Sequence, residues 1–416
     1  MQHLSRNLKR AALALAALLA LAQGAMGAGF QTAEHYAAYV GQATAGLLLT
    51  ENAGVVASLP AGMVRLETGL HVMAGITHFT PSSTYDTGTE SGSTITEPVV
   101  GPHVYAVQHY GGNIAVGAGK YFPFNVDVEY KDDWQGAHIF TREKLIVAYN
   151  SLSGAYAIND NMSVGGSLNL IEGWVQLNQV LTVMPGTTVP VTLGGTTQDF
   201  GFNASFMYQS DNLSVGLNYQ PQKTLHFEGS VDFDTSQAPG LSATFPDGGA
   251  SVDIPLPSVL DLGVAWHDKA SDPDMMVELN IVQAGWSAFK EIKIVFDKGL
   301  PYPSSVAERH WKDTLGIKIG GNYALSRSGG ATHRLRAGFF KDEGVAPTDY
   351  VDPAVPDANG RTEFAVGYGF KTDAFFVDAA YFVVDFAESE ASPTNEFPAK
   401  YKMQVNIFSI SGGTKF

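Results

Sequence analysis

The chain has 416 residues, and 41 Asp and Glu against 25 Lys and Arg give a formal charge of −16, which argues against nucleic acid or anionic lipid as partners. It has no cysteine, so a disulfide framework, thiolate chemistry and Cys-based metal sites are excluded. With 45 Gly, 11% aromatics and a mean hydropathy near zero, the composition suits an apolar outside wrapped around a polar inside.

Arg6, Lys9 and Arg10 precede an apolar run from Ala11 to Ala22, followed by the small-residue segment Gln23-Gly24-Ala25-Met26-Gly27. This pattern predicts a secretory signal peptide over residues 1–27, with the mature chain starting at Ala28-Gly29-Phe30. The run falls short of the ~20 apolar residues a spanning helix needs. No later stretch reaches that length without a charge, a glycine or a polar residue.

Residues 28–63 show no strand-like alternation. Thr32 to Thr50 is Ala-rich and suits short helices, and Glu51-Asn52-Ala53-Gly54 and Leu59-Pro60-Ala61-Gly62 punctuate the remainder of the segment. A periplasmic tail should be more polar than this segment, so a plug inside a barrel is expected here.

From residue 64 onward the dominant signal has period two. Leu213, Val215, Leu217 and Tyr219 alternate with Ser214, Gly216, Asn218 and Gln220. Phe364, Val366, Tyr368 and Phe370 likewise face away from Ala365, Gly367, Gly369 and Lys371. Breaks in this pattern alternate between long and short. In chain order they fall near 80–100 (long), 110–113 (short), 122–139 (long), 158–162 (short), 182–195 (long), 209–212 (short) and 233–256 (long). They continue at 268–273 (short), 297–311 (long), 326–331 (short), 341–360 (long), 371–373 (short) and 388–399 (long). The pattern predicts an all-β fold, an antiparallel transmembrane β-barrel of about 14 strands over residues 64–416, with short turns on the periplasmic rim. A last strand ending on the aromatic Phe416 carries the insertion signal expected for the barrel-assembly machinery.

Several short elements, in order along nearly the whole mature chain, carry a more specific signal. They are Ala28-Gly29-Phe30-Gln31, Glu51-Asn52-Ala53-Gly54, Leu59-Pro60-Ala61-Gly62-Met63 and Tyr130-Lys131-Asp132-Asp133-Trp134. Further on come Gly285-Trp286-Ser287-Ala288-Phe289, Trp311-Lys312-Asp313-Thr314 and Val345-Ala346-Pro347. In this series the sequence resembles the FadL/TodX family of outer-membrane transporters for long-chain fatty acids and other hydrophobic compounds. It departs from the family's Asn-Pro-Ala element in having Leu59 where the asparagine stands.

The resemblance implies passive uptake through a plugged barrel, with lateral exit into the membrane at an inward kink of the third strand. That strand is expected near 113–122, with Gly117 and Gly119 at the kink and Pro123 after it. The resemblance also carries ligand response to Ala28, Gly29 and Phe30 at the mature N-terminus, and places Leu59, Pro60 and Ala61 against the kinked strand. A carboxylate ligand would need a buried base, and the candidates are Arg309 and Arg142, with Lys144 and Lys312 beside them. No cofactor or metal is expected. No HExxH, GxSxG or phosphate loop occurs, and His103 and His109 read as structural rather than as partners of a nucleophilic serine. The expected partners are a hydrophobic small molecule, outer-membrane lipid and lipopolysaccharide around a monomer. The alternative reading is a structural or adhesive outer-membrane barrel that uses its long loops.

Overall fold

The period-two segments form strands whose apolar faces point outward. A computed structural model of the chain describes residues 29–268, 274–298, 300, 304–328 and 331–416. The signal peptide expected over residues 1–27, Ala28 and the middles of the breaks expected at 268–273, 297–311 and 326–331 lie outside the described residues. Phe364 and Val366 are 57% and 60% exposed, while Ala365 between them is buried. Charged and amide side chains, among them Glu278, Asn280, Lys318, Arg336 and Glu363, point into the barrel and are buried there.

Strands β1 to β6 are Gly69–Asp86, Val99–His109, Ile114–Glu129, Arg142–Ala157, Met162–Met184 and Thr187–Gln209. The next four are each broken into two pieces. They are β7 (Leu213–Gln220 and Lys223–Phe233), β8 (Gly248–Leu256 and Val259–Asp268), β9 (Met275–Ala284 and Glu291–Phe296) and β10 (Ser305–Glu308 and Thr314–Ser328). The last four, β11 to β14, are Ala331–Asp342, Arg361–Lys371, Phe376–Phe386 and Lys400–Lys415. Each pairs antiparallel with its neighbours, and β14 closes the 14-stranded barrel on β1 through a ladder from His71–Lys415 to Asp86–Lys400. The Phe416 amide donates to the Leu70 carbonyl at 2.8 Å and extends that seam.

Long and short connections alternate as the sequence implies, with one correction. The break expected at 182–195 is a two-residue turn, Pro185-Gly186, because β5 and β6 run on as a 23-residue pair. Gly186 supplies the positive φ of 79° that this turn requires. Exposed aromatics (Tyr110, Tyr156, Tyr368 and Phe375) collect near the short-turn rim, as expected where a barrel meets the membrane interface.

The N-terminal segment packs against the inward faces of the strands. It contains two single helical turns, α1 (Ala37–Val40) and α2 (Val55–Ser58), and a 3-10 turn over Pro60–Arg65. Its polar backbone is tied to the wall. The Ala37 amide donates to Ser411 Oγ at 2.9 Å, and the Leu48 amide donates to both Glu278 oxygens at 3.1 and 3.3 Å. Glu51 pairs with Arg334 at 2.9 Å and with Arg336 at 3.1 Å.

Candidate functional site

β3 is regular as far as Lys120. Gly117 pairs with Val107 and Ser153, and Gly119 with Tyr105 and Ser151. The two glycines therefore lie below the kink they were expected to form. Gly117 instead gives clearance, since a side chain there would begin 2.6 Å from Met63 Sδ and 2.8 Å from Val56 Cγ2. The irregularity lies higher, where Phe122 and Pro123 together stand opposite Ala148 between the pairs Tyr121–Tyr149 and Phe124–Val147. An extra residue on one strand bends it, and proline cannot donate to the ladder. β3 also continues well beyond its expected end, to Glu129.

Above this bulge β3 leaves β2. The β2–β3 ladder runs from His109–Ala115 to Val104–Lys120, whereas β2 continues up to Val99 paired with β1. Among the described residues no ladder joins β2 to β3 beyond Val104, which leaves a window in the wall between Val99–His103 and Tyr121–Val128.

The N-terminal segment lies along the inner side of this window as a short extra strand. The Thr32 amide donates to the Pro123 carbonyl at 2.8 Å, and the Asn125 amide donates to the Phe30 carbonyl at 3.0 Å. The Thr32 hydroxyl donates to the Phe122 carbonyl at 2.7 Å and accepts from Asn125 Nδ2 at 2.8 Å. Phe30 is buried by Trp286 and Phe289, edge-on at 4.7 and 5.5 Å, and by Trp311 at 5.8 Å. Gly29 has a φ of +51°, and a side chain there would begin 2.7 Å from the Trp311 ring. Ala28, assigned with these two residues, lies outside the described residues.

Two cavities meet at Phe30. An outer one of about 400 Å³ is lined mainly by apolar side chains of β4 to β9, including Leu145, Val175, Phe227 and Ile254. A side cavity of about 200 Å³ lies against the window, lined by Val99 to His103, Tyr121, Phe122 and Asn125 to Val128. Phe30, Val126 and Val355 line both.

The basic candidates are all near the site or its rim, but those in contact with it are paired. Arg142 contacts Asp127 at 3.1 Å and Glu129 at 3.2 Å, and Lys144 contacts Asp127 at 3.1 Å. Arg309 forms a largely buried ion pair with Asp352. In the side cavity Arg361 contacts Glu363 at 2.7 Å. Lys312 is exposed and lines neither cavity. Glu34 and His35 of the N-terminal segment also border the side cavity. Burial raises the Glu34 carboxyl above its usual range despite Arg361 and Lys318. Burial, with Lys318 and His103, lowers the His35 imidazole to about 3, so it is neutral at ordinary pH.

Leu59, Pro60 and Ala61 turn toward β5, β6 and β7 rather than toward the kinked strand. Ser163 Oγ donates to the Ala61 carbonyl at 2.8 Å, the Ala61 amide donates to Ser205 Oγ at 2.9 Å, and Leu59 packs against Gly216. The 3-10 turn they begin carries Met63 round to β3 instead. His103 Nε2 lies 2.9 Å from Ser411 Oγ, but that hydroxyl also accepts the Ala37 amide, so the pair fixes α1 to the wall. His109 Nδ1 lies 2.7 Å from the Leu66 carbonyl, a structural contact as expected.

Sequence reasoning passed over Thr32, Asn125, Val126 and Val355, which have no local signal. The Gly285–Phe289 and Trp311–Thr314 elements stood out in the sequence, but only the fold shows that their rings surround Phe30.

Residues 18–416 match the sequence profile of a family described as outer membrane protein transport protein (OMPP1/FadL/TodX). The chain is 28% identical to Outer membrane protein P1 of Haemophilus influenzae, with 90% of each chain covered. It is 23% identical to the Long-chain fatty acid transport protein of Escherichia coli K12, covering 98% of this chain and 97% of that one. Among solved structures, a Pseudomonas aeruginosa FadL homologue superposes with a TM-score of 0.80 at 16% identity, covering 94% of this chain and all of that one. The toluene transporter TodX of P. putida does so with a TM-score of 0.68 at 13% identity, over 94% and 99%. The chain is thus an outer-membrane β-barrel and belongs to the OMPP1/FadL/TodX family of outer-membrane transport proteins.

Proposed function

We propose that the protein takes up neutral hydrophobic small molecules by passive diffusion, from the outer cavity past Phe30 into the side cavity and then sideways into the membrane. The observation that carries this reading is the side cavity lying against the window between β2 and β3. Re-exposing apolar surface to water costs about 25 cal/mol per Å². A sideways route spares the ligand that step, and the N-terminal segment acts as a plug that closes the direct path to the periplasm. Residues 28–63 form this plug, Phe30 its movable end and β3 the gate strand.

The chemistry of the cavities supports a neutral ligand over a fatty acid. Arg309, Lys144 and Arg361 line the cavities already paired to carboxylates, so an incoming carboxylate would have to displace Asp352, Asp127 or Glu363. A neutral molecule leaves these pairs intact. The barrel acts as a monomer surrounded by lipid and lipopolysaccharide, inserted by the barrel-assembly machinery.

Deleting Pro123 tests the route. The deletion removes the extra residue, restores one-to-one pairing with β4 and lets β3 extend its ladder along β2. Toluene uptake into cells expressing this variant should fall to background while the folded barrel still reaches the membrane. Full uptake by a correctly folded variant would refute the lateral exit.

A further inference from the structure

The connection between β11 and β12 (residues 343–360) has the length of an outward loop, yet it folds into the mouth of the barrel. Val345, Val351, Ala354 and Asp357 are each no more than 3% exposed. The inward fold is held from several directions. The Lys312 amide donates to the Val345 carbonyl at 2.9 Å, Asn395 Nδ2 donates to the Val351 carbonyl at 3.1 Å, and the Ala358 amide donates to Ser389 Oγ at 3.1 Å. Arg309 reaches across from beyond the first piece of β10 to pair with Asp352. This places Asp352 in the outer cavity, Ala354 in the side cavity and Val355 in both.

We propose that Val355 is a specificity-determining residue, the fixed jaw of a constriction whose other sides are Phe30 and Val126, and that Arg309 is the positioning residue that holds it there. The inference rests on the transport route proposed above. The jaws differ in how they are held. Val126 is part of a strand paired to β4, and Phe30 belongs to a short segment that can swing with its ring. Val355 is carried by a loop tied both to the β13–β14 connection and to the break within β10, so it cannot yield as Phe30 can. The gap between Val355 and Val126 then sets the width of a rigid molecule that passes, while a flexible chain of the same volume threads through. Arg309 thereby takes a role other than binding a ligand carboxylate.

The test is uptake of toluene and of phenanthrene, a rigid molecule of three angularly fused rings with a broader cross-section than toluene, by cells expressing the full-length protein. Val355→Ala should raise the phenanthrene-to-toluene ratio several-fold, and Val355→Trp should lower it about tenfold. Arg309→Gln should raise the ratio as Val355→Ala does. The exchanged pair Arg309→Asp with Asp352→Arg should restore the wild-type ratio, which it would not do if Arg309 acted by contacting the ligand rather than by holding Asp352. Heat-modifiable migration on gels confirms that each barrel is folded. An unchanged ratio in folded Val355→Ala and Val355→Trp, with toluene still taken up, overturns the jaw and leaves the route standing. Uptake of neither probe by the wild type overturns both.

Discussion

The Thr32 amide and the Pro123 carbonyl are 2.8 Å apart, which makes the N-terminal segment a substitute strand where β3 has turned away from β2. The window is therefore lined on its inner side by a piece of chain held through few bonds, next to a side cavity of about 200 Å³. Displacing residues 30–32 breaks those bonds without disturbing the β3–β4 ladder.

Thr32→Val removes the hydroxyl that donates to Phe122 and accepts from Asn125. Asn125 Nδ2 keeps its 2.9 Å bond to the Phe122 carbonyl, so no buried group is stranded. The loss should be about 1 kcal/mol of local stability. Hydrogen exchange at residues 30–32 should speed up about fivefold, with exchange in β4 unaltered. Equal acceleration in both places would show that the segment is not an independent latch.

Gly117→Val puts a branched side chain against Met63 and Val56. Overpacking of this kind costs about 1–3 kcal/mol, which should appear as a lower thermal midpoint of the purified barrel. Toluene uptake per folded molecule should not follow it, because the position lies in the paired part of β3 below the window. A selective loss of uptake with unchanged stability would return Gly117 to the gate.

Glu51 should make anchorage of the N-terminal segment sensitive to pH. Burial alone would raise its carboxyl, but Arg334, Arg336 and Lys371 overcome that and hold it below the ordinary value of 4.5. A depressed carboxylate stabilises the folded state above its unfolded pKa and loses that contribution as pH falls through the folded value. Exchange protection of residues 45–58 should therefore be greater in the wild type than in Glu51→Gln at neutral pH. The difference should close below about pH 4.5. A gap independent of pH would place the anchorage in hydrogen bonds rather than charge.

Arg142→Ala should leave the ratio of oleate to toluene uptake unchanged, because its guanidinium is spent on Asp127 and Glu129. Asp127 keeps Lys144 as a partner in the variant. A selective fall in oleate uptake would make Arg142 a carboxylate site after all.

The barrel was legible in the order of residues. Period-two alternation tells each residue which side of the sheet it occupies, so Phe364 and Val366 face lipid and Ala365 the lumen whatever their neighbours are. The alternation of short and long breaks told the chain's direction at each strand and the approximate strand number. It failed at Pro185-Gly186, where the residues read as a long break at 182–195 are strands that run on to a two-residue turn. Which strands pair at each height was settled by folding. Alternation encodes a face and says nothing about a partner, so the parting of β2 from β3 and its patching by Thr32 could not be read locally. Gly117 and Gly119 looked like a kink because glycine in a strand permits one, yet the bend follows Pro123 and its unmatched neighbour. Whether Arg142 and Arg309 are free to meet a ligand carboxylate or are spent on salt bridges could not be read locally either. Their carboxylate partners, Asp127 and Asp352, lie on other strands and loops, and only the closed barrel brings such charges together.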